Sequence, residues 1–175
     1  MNRFAWPLAG FILIAIVLAV GLRHADEKEI IASPLIGKAA PDFEVPDLSD
    51  AGARVSSSML KSGRWQLLNV WGTWCVECRA EHAALLQIKA EGKVPIIGLD
   101  WKDEDASALA WLAQLGNPYS AVGADRDGRV AVDWGVYGAP ESFLIDPLGR
   151  VVRKKIGAMT IEDWRRDFLP LVAKR

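Results

Sequence analysis

Metal-binding side chains are scarce in this sequence: its 175 residues include only two cysteines and two histidines. A closed structural zinc site usually draws on two Cys-x-x-Cys pairs, or on one pair plus histidines. Here there is no second pair, and His24 lies beside a long apolar run, far in sequence from the cysteines. The formal net charge is only −1, so the basic face that nucleic acid demands is missing. Repeats and low-complexity tracts are also absent. The length leaves room for one domain with a proper core and one appendage.

Both cysteines stand in Trp74-Cys75-Val76-Glu77-Cys78. A pair this close closes too short a loop to be a useful staple. A redox dithiol is the leading reading, with a zinc half-site and plain buried cysteines as the alternatives.

The appendage comes first. From Phe4 to Leu22 no charge interrupts a run rich in Ile, Leu, Val and Ala, and its length suits a membrane span better than a secretory signal. Arg3 precedes it and Asp26, Glu27 and Glu29 follow, which predicts a cytoplasmic amino terminus and a body on the far side of the membrane. The alternative is a cleaved signal peptide, for which Ala19-Val20-Gly21 is a passable site. The expected organisation is an anchor over 1–22, a tether over 23–36 containing Pro34, and a folded domain over 37–175. Disulfides persist outside the cytoplasm, so partner proteins must set the state of a lone pair there.

Within the domain, Asp42 to Leu48 and Ala53 to Val55 read as an N-terminal hairpin across Ser49-Asp50-Ala51-Gly52. Gln66 to Trp71 is an apolar run suited to a central strand buried on both faces. Cys75 opens a helix to about Glu91, ended by Gly92. Val94 to Asp100 predicts a second buried strand, and Asp103 a cap for a helix through Leu115. A short helix follows near Gly128 to Trp134. Ser142 to Ile145 and Val151 to Ile156 flank the turn Asp146-Pro147-Leu148-Gly149. Thr160-Ile161-Glu162-Asp163 begins a last amphipathic helix. The pattern is α/β with a mixed sheet.

A strand running straight into a Cys-x-x-Cys helix puts Cys75 at the helix N-terminus, where unpaired N–H groups and the dipole favour a thiolate. Cys78, one turn further in, is placed to resolve a mixed disulfide. Glu77 between them is either a carboxylate that opposes the thiolate, making the pair more reducing, or a solvated first-turn acid.

Several motifs occur together: Leu68-Asn69-Val70-Trp71-Gly72-Thr73-Trp74-Cys75, Cys78-Arg79-Ala80-Glu81-His82, Leu115-Gly116-Asn117-Pro118-Tyr119, and Gly135-Val136-Tyr137-Gly138-Ala139-Pro140-Glu141-Ser142-Phe143-Leu144-Ile145-Asp146. In these the chain resembles the thioredoxin superfamily, in particular the membrane-anchored thiol–disulfide proteins of cytochrome c maturation (the CcmG/DsbE type). The resemblance runs from about Gly37 to the C-terminus, and the anchor fits it.

It implies a thioredoxin-like fold with an N-terminal hairpin extension and an N-terminal transmembrane helix. It further implies a Cys75–Cys78 redox disulfide, a cis Pro140 facing the pair, and an Ala139 backbone open to a substrate strand. Glu81 and Glu141 match acidic positions that line the family's groove, although helical spacing alone would equally allow a solvent-exposed Glu81. Asn69 stands where ordinary thioredoxins carry a buried aspartate, leaving open which group takes the proton from Cys78. Trp74 is expected on the docking surface, Trp71 and Trp134 in the core, and His82 at solvent or the groove rim.

The function implied is an inner-membrane, single-pass, periplasm-facing thiol:disulfide oxidoreductase with no cofactor and no metal. It reduces apocytochrome c or a thiol-carrying maturation protein and draws electrons from a membrane thiol transporter. The alternatives are a broad-specificity periplasmic reductase or isomerase and a non-enzymatic haem-handling module. A peroxidase is suggested by Gly37-Lys38-Ala39-Ala40-Pro41-Asp42-Phe43, but Asn69 to Cys75 holds no proline of the kind that chemistry favours.

Overall fold

The computed structural model describes residues 5–23, 33–50 and 52–173. The chain divides into two units, Met1–Ile31 and Ala32–Arg175. In the first, α1 (Ala5–Arg23) is helical, and its described apolar side chains, among them Trp6, Phe11 and Leu18, are exposed. Those side chains are described without a break only from Gly10 to Val20. Among the described residues no helix is long and apolar enough to cross a membrane. The flanking charges Arg3, Asp26, Glu27 and Glu29, with His24 and the tether as far as Ala32, lie outside the described residues, as does Ala51 in the hairpin turn.

In the second unit, β1 (Glu44–Pro46) and β2 (Arg54–Ser56) form the expected antiparallel hairpin. The main sheet contains β3 (Gln66–Trp71), β4 (Ile96–Trp101), β5 (Ala121–Asp125), β6 (Glu141–Ile145) and β7 (Val151–Ile156) in the order β5-β4-β3-β6-β7. β3, β4 and β5 run parallel, while β6 and β7 add antiparallel, so the sheet is mixed. Every residue of β3 is buried, as its apolar run predicts. Strand alternation sends Leu67 and Trp71 into one core with Leu85, Ile88, Trp111, Trp164 and Phe168. Leu68 and Val70 enter the other with Val55, Ile97, Trp134 and Phe143. Trp71 and Trp134 are thus core residues, as expected.

The crossover helix from β3 to β4 is α2 (Val76–Glu91), closed by Gly92 at φ 63°. Next, α3 (Asp105–Leu115) joins β4 to β5. Asp103 does not cap it. Glu104 holds the N-cap position without a side-chain bond, and the Asp103 carboxylate accepts the Glu104 N–H and the Thr73 hydroxyl instead. The sequence reading also passes over β5, whose small residues lack a strand signature. Pairing with β4 creates this strand, and the hairpin seats against it through Leu48 N–H to Val122 O at 2.8 Å. α4 (Arg129–Asp133) matches the short helix expected there.

The last helix is not continuous. α5 (Ile161–Asp163), capped reciprocally by Thr160 and Asp163, passes through a π-helical turn at Trp164–Phe168 into α6 (Leu169–Ala173). That turn buries both Trp164 and Phe168, with ring centroids 6.1 Å apart.

Candidate active site

β3 ends at Trp71, and four residues later the chain reaches Cys75, the N-cap of α2. The intervening turn is held tightly. A Cβ on Gly72 would stand 2.6 Å from Trp74 Nε1, so the indole lies back over the glycine. Trp74 Nε1 donates to Trp101 O at 3.1 Å, and the two rings meet edge to face at 5.6 Å. Even so, Trp74 is 52% exposed, on the surface as expected, and Val76 and Glu77 beyond it are also exposed.

Cys75 and Cys78 form a disulfide with S–S 2.14 Å and Cα–Cα 5.3 Å. Cys75 Sγ accepts the Cys78 N–H at 3.0 Å, an N-capping bond that supports negative charge on this sulfur in the dithiol form. Both cysteines are buried, at 5% and 3% exposure. The Ala139–Pro140 bond is cis, as expected. Ala139 is half-buried against the core that holds both cysteines.

Behind the pair lies a buried polar cluster. Asn69 Nδ2 donates to Glu81 Oε1 at 2.8 Å and to Ser142 Oγ at 3.1 Å, and its carbonyl oxygen accepts Tyr119 Oη–H at 2.8 Å. The other oxygen of Glu81, Oε2, accepts the Met159 N–H at 2.7 Å. Glu81 is only 1% exposed, which overturns its reading as a solvent-exposed acid. Burial pushes its carboxyl up to about 7, against the opposing pull of the Met159 and Asn69 bonds and the Lys155 charge. Burial, with Glu81 and Asp100 nearby, likewise holds the Tyr119 hydroxyl well above its ordinary range. Cys78 and Glu81, three residues apart, share the buried face of α2. That face therefore places a carboxyl able to exchange protons near neutrality beside the second cysteine.

Glu141 is elsewhere. It lies on β6 next to Ser142, whose side chain enters the Asn69 cluster, so alternation sends Glu141 to the opposite face of the sheet. Fully buried, it accepts the Tyr137 N–H at 2.8 Å and pairs with Lys154 Nζ at 2.8 Å. Lys154 also donates to Gly135 O at 2.8 Å and sits 4.7 Å from the Tyr137 ring centroid. Glu141 and Lys154 thus hold the Gly135–Tyr137 loop from beneath. His82 is buried as well, contrary to expectation, with Nε2 2.9 Å from Gly116 O and its ring edge-on to Trp111.

Among the described residues no cluster of His, Cys, Asp or Glu could hold a metal ion. The sequence reading missed Lys154 and the Met159 N–H. Tyr119 closed a quoted motif but signalled no bond. Lys154 carries no sequence signal, because its burial comes from tertiary partners: it pairs with Phe143 across β6 and β7 and with the Glu141 carboxylate.

The AhpC/TSA family model matches residues 36–154. The thiol:disulfide interchange protein DsbE of Allochromatium vinosum is 41% identical over 173 residues, covering 99% of this chain and 94% of that protein. The DsbE of Pseudomonas aeruginosa is 42% identical over 165 residues, covering 94% and 89%. A crystal structure described as a thiol:disulfide interchange protein DsbE from Chlorobium tepidum superposes with a TM-score of 0.68 at 28% identity, covering 77% of this chain and 96% of that one.

Proposed function

This chain belongs to the AhpC/TSA family and, within it, to the DsbE-type thiol:disulfide interchange proteins, and from that premise we propose that it is the anchored reductant of a cytochrome c maturation pathway. It is a thiol:disulfide oxidoreductase with a thioredoxin-like α/β fold. The proposed substrates are disulfides in the Cys-x-x-Cys-His haem-attachment sites of apocytochrome c, or in a thiol-carrying maturation protein. The observation that carries the reading is the Cys75–Cys78 disulfide at the head of α2 with Glu81 on the same buried face.

In the dithiol form the Cys75 thiolate attacks one sulfur of the partner's disulfide, and a mixed disulfide forms as the partner's other sulfur leaves as a thiolate. Cys78 then gives its proton to the Glu81 carboxylate and attacks Cys75 Sγ, expelling the second partner thiolate. The partner gains two electrons, and this protein ends as the Cys75–Cys78 disulfide. Trp74, the Ala139 backbone and Pro140 form the proposed docking surface, Glu77 and Glu81 tune the thiols, and Glu141 supports the docking loop from below.

Residues 1–22 are proposed as a single-pass inner-membrane anchor, 23–36 as a tether and 37–175 as the periplasmic domain. The support is the uncharged run Phe4 to Leu22, read with the helical backbone of α1, whose described apolar side chains find no core. Anchoring raises the effective concentration near membrane-bound partners, including the thiol transporter proposed as electron donor. A Cys78→Ser variant expressed in a cytochrome-producing cell tests the reading. Mixed disulfides with apocytochrome c or its thiol-carrying partner are expected on non-reducing gels and by mass spectrometry. A trap holding a broad set of unrelated secreted proteins would favour a general reductase or isomerase. No trapped protein at all would sink the exchange mechanism.

A further inference from the structure

The loop between β4 and α3 reaches across to the turn that carries the reacting cysteine. Asp103, half-buried at its tip, accepts the Thr73 N–H on Oδ2 and the Thr73 hydroxyl on Oδ1, the latter at 2.8 Å. Trp101, the last residue of β4, supplies the carbonyl that receives the Trp74 indole N–H. Both residues immediately ahead of Cys75 are therefore tied to the end of β4 and the loop that follows it.

The loop's backbone is bent to do it. Lys102, between Trp101 and Asp103, is the one non-glycine with positive φ among the described residues, at 50°. Such a conformation persists where its surroundings over-determine it. Here Lys102 N–H bonds Asp125 O at 3.0 Å and its side chain lies where a Cβ on Gly128 would fall, 2.3 Å from Cε. Arg126 is engaged with Asp105 through two N–H groups. Asp100, buried behind Asp103, has a carboxyl raised to about 8 by burial and by its acidic neighbours Asp103 and Asp105. The ground behind the turn is thus acidic.

We propose that Asp103 is a positioning residue for the thiol chemistry, fixing the Thr73–Trp74 turn and holding a negative charge behind Cys75 that disfavours its thiolate and makes the dithiol more reducing. This rests on the exchange function proposed above. It gives Asp103, half-buried behind the turn, an electrostatic role alongside that of the exposed Glu77.

The test equilibrates the full-length protein with glutathione. One protein dithiol and one glutathione disulfide give one protein disulfide and two glutathione thiols, with two electrons and both thiol protons passing to glutathione. Asp103→Asn keeps an acceptor oxygen and removes the charge. It is expected to shift this equilibrium toward the protein dithiol by about threefold or more, and to speed alkylation of Cys75 near pH 6 by a similar factor. Asp103→Glu, which keeps the charge, should return both values toward wild type, and Asp103→Ser replaces the Asn variant if that fails to fold. Wild-type values in the neutral variant, or a Glu variant shifted as far as the neutral one, would overturn the proposal. A wild-type protein that never equilibrates with glutathione would instead overturn the exchange function itself.

Discussion

Asn69 Nδ2 donates to Glu81 Oε1 at 2.8 Å, joining the strand that leads to the cysteines with the helix that begins on them. Both of its amide N–H groups and its carbonyl oxygen are used, in a position with no exposure to water. The sequence marks this asparagine only as a departure from the thioredoxin aspartate. Geometry gives the departure a purpose, since an amide can donate to a buried carboxylate where a second carboxylate would repel it.

Asn69→Asp should therefore be destabilising in a pH-dependent way. Near pH 7.5 the new acid lacks the N–H donors for Glu81 and Ser142, at a cost of about 1–3 kcal/mol for each buried group left unsatisfied. Near pH 5 the two carboxyls can hold protons and restore a donor, so most of the loss should vanish. Urea unfolding at the two pH values checks this, and an equal loss at both would refute it.

Glu141 and Lys154 form a pair whose side chains are 0% and 3% exposed. Lys154→Met leaves a carboxylate buried without its cation, and a loss of about 3–5 kcal/mol is expected. The double variant Glu141→Gln with Lys154→Met should recover much of that loss, because no lone charge remains. Denaturant unfolding of the four proteins of the cycle measures the coupling, and additive single losses would contradict a direct pair.

The parts of the fold written locally were legible. β3 and α2 follow from an uninterrupted apolar run, a cysteine at the cap and Gly92 in a left-handed stop. The turn before β7 follows from Asp-Pro-Leu-Gly, with Gly149 at φ 77°. What stayed hidden depends on tertiary partners. β5 carries a weak strand signal and exists because β4 and the hairpin hold it on either side. Glu81 and Glu141 share a residue type and an expected groove, yet helix phase and strand alternation send them to opposite faces of the sheet. Asp103 had the chemistry of a helix cap, and only the approach of Thr73 shows where its carboxylate is engaged.

Gly123 offers a direct check on how β5 accepts the hairpin. A Cβ there would stand 2.6 Å from Val45 Cγ2 and 3.3 Å from Val55 Cβ. Gly123→Ala should push the hairpin off the strand and cost about 1–3 kcal/mol through overpacking. A lower denaturation midpoint with an unchanged slope is the expected signature. A midpoint equal to wild type would mean that the hairpin can move aside freely.

Glu81 gives the clearest pH dependence. Its folded pKa of about 7 lies above the ordinary 4.5, so between those values the folded protein keeps a proton that the unfolded chain has released. Its contribution to stability is complete below about pH 4.5 and is lost as pH rises through about 7, a difference on the order of 3 kcal/mol. Asp100, raised to about 8, acts in the same direction, so Glu81→Gln should flatten the decline in stability above pH 5 without abolishing it. The same substitution separates structure from chemistry. If the Glu81 carboxylate takes the proton from Cys78, release of a Cys75 mixed disulfide should accelerate as pH rises through about 7 in the wild type. Stopped-flow measurement of that step should show the rise displaced toward the ordinary thiol range in Glu81→Gln, with a release rate at pH 7 reduced by about tenfold or more. An unchanged profile in a stably folded Gln variant would show that the proton leaves by another route, and that Glu81 serves only to tie α2 to β3 and Met159.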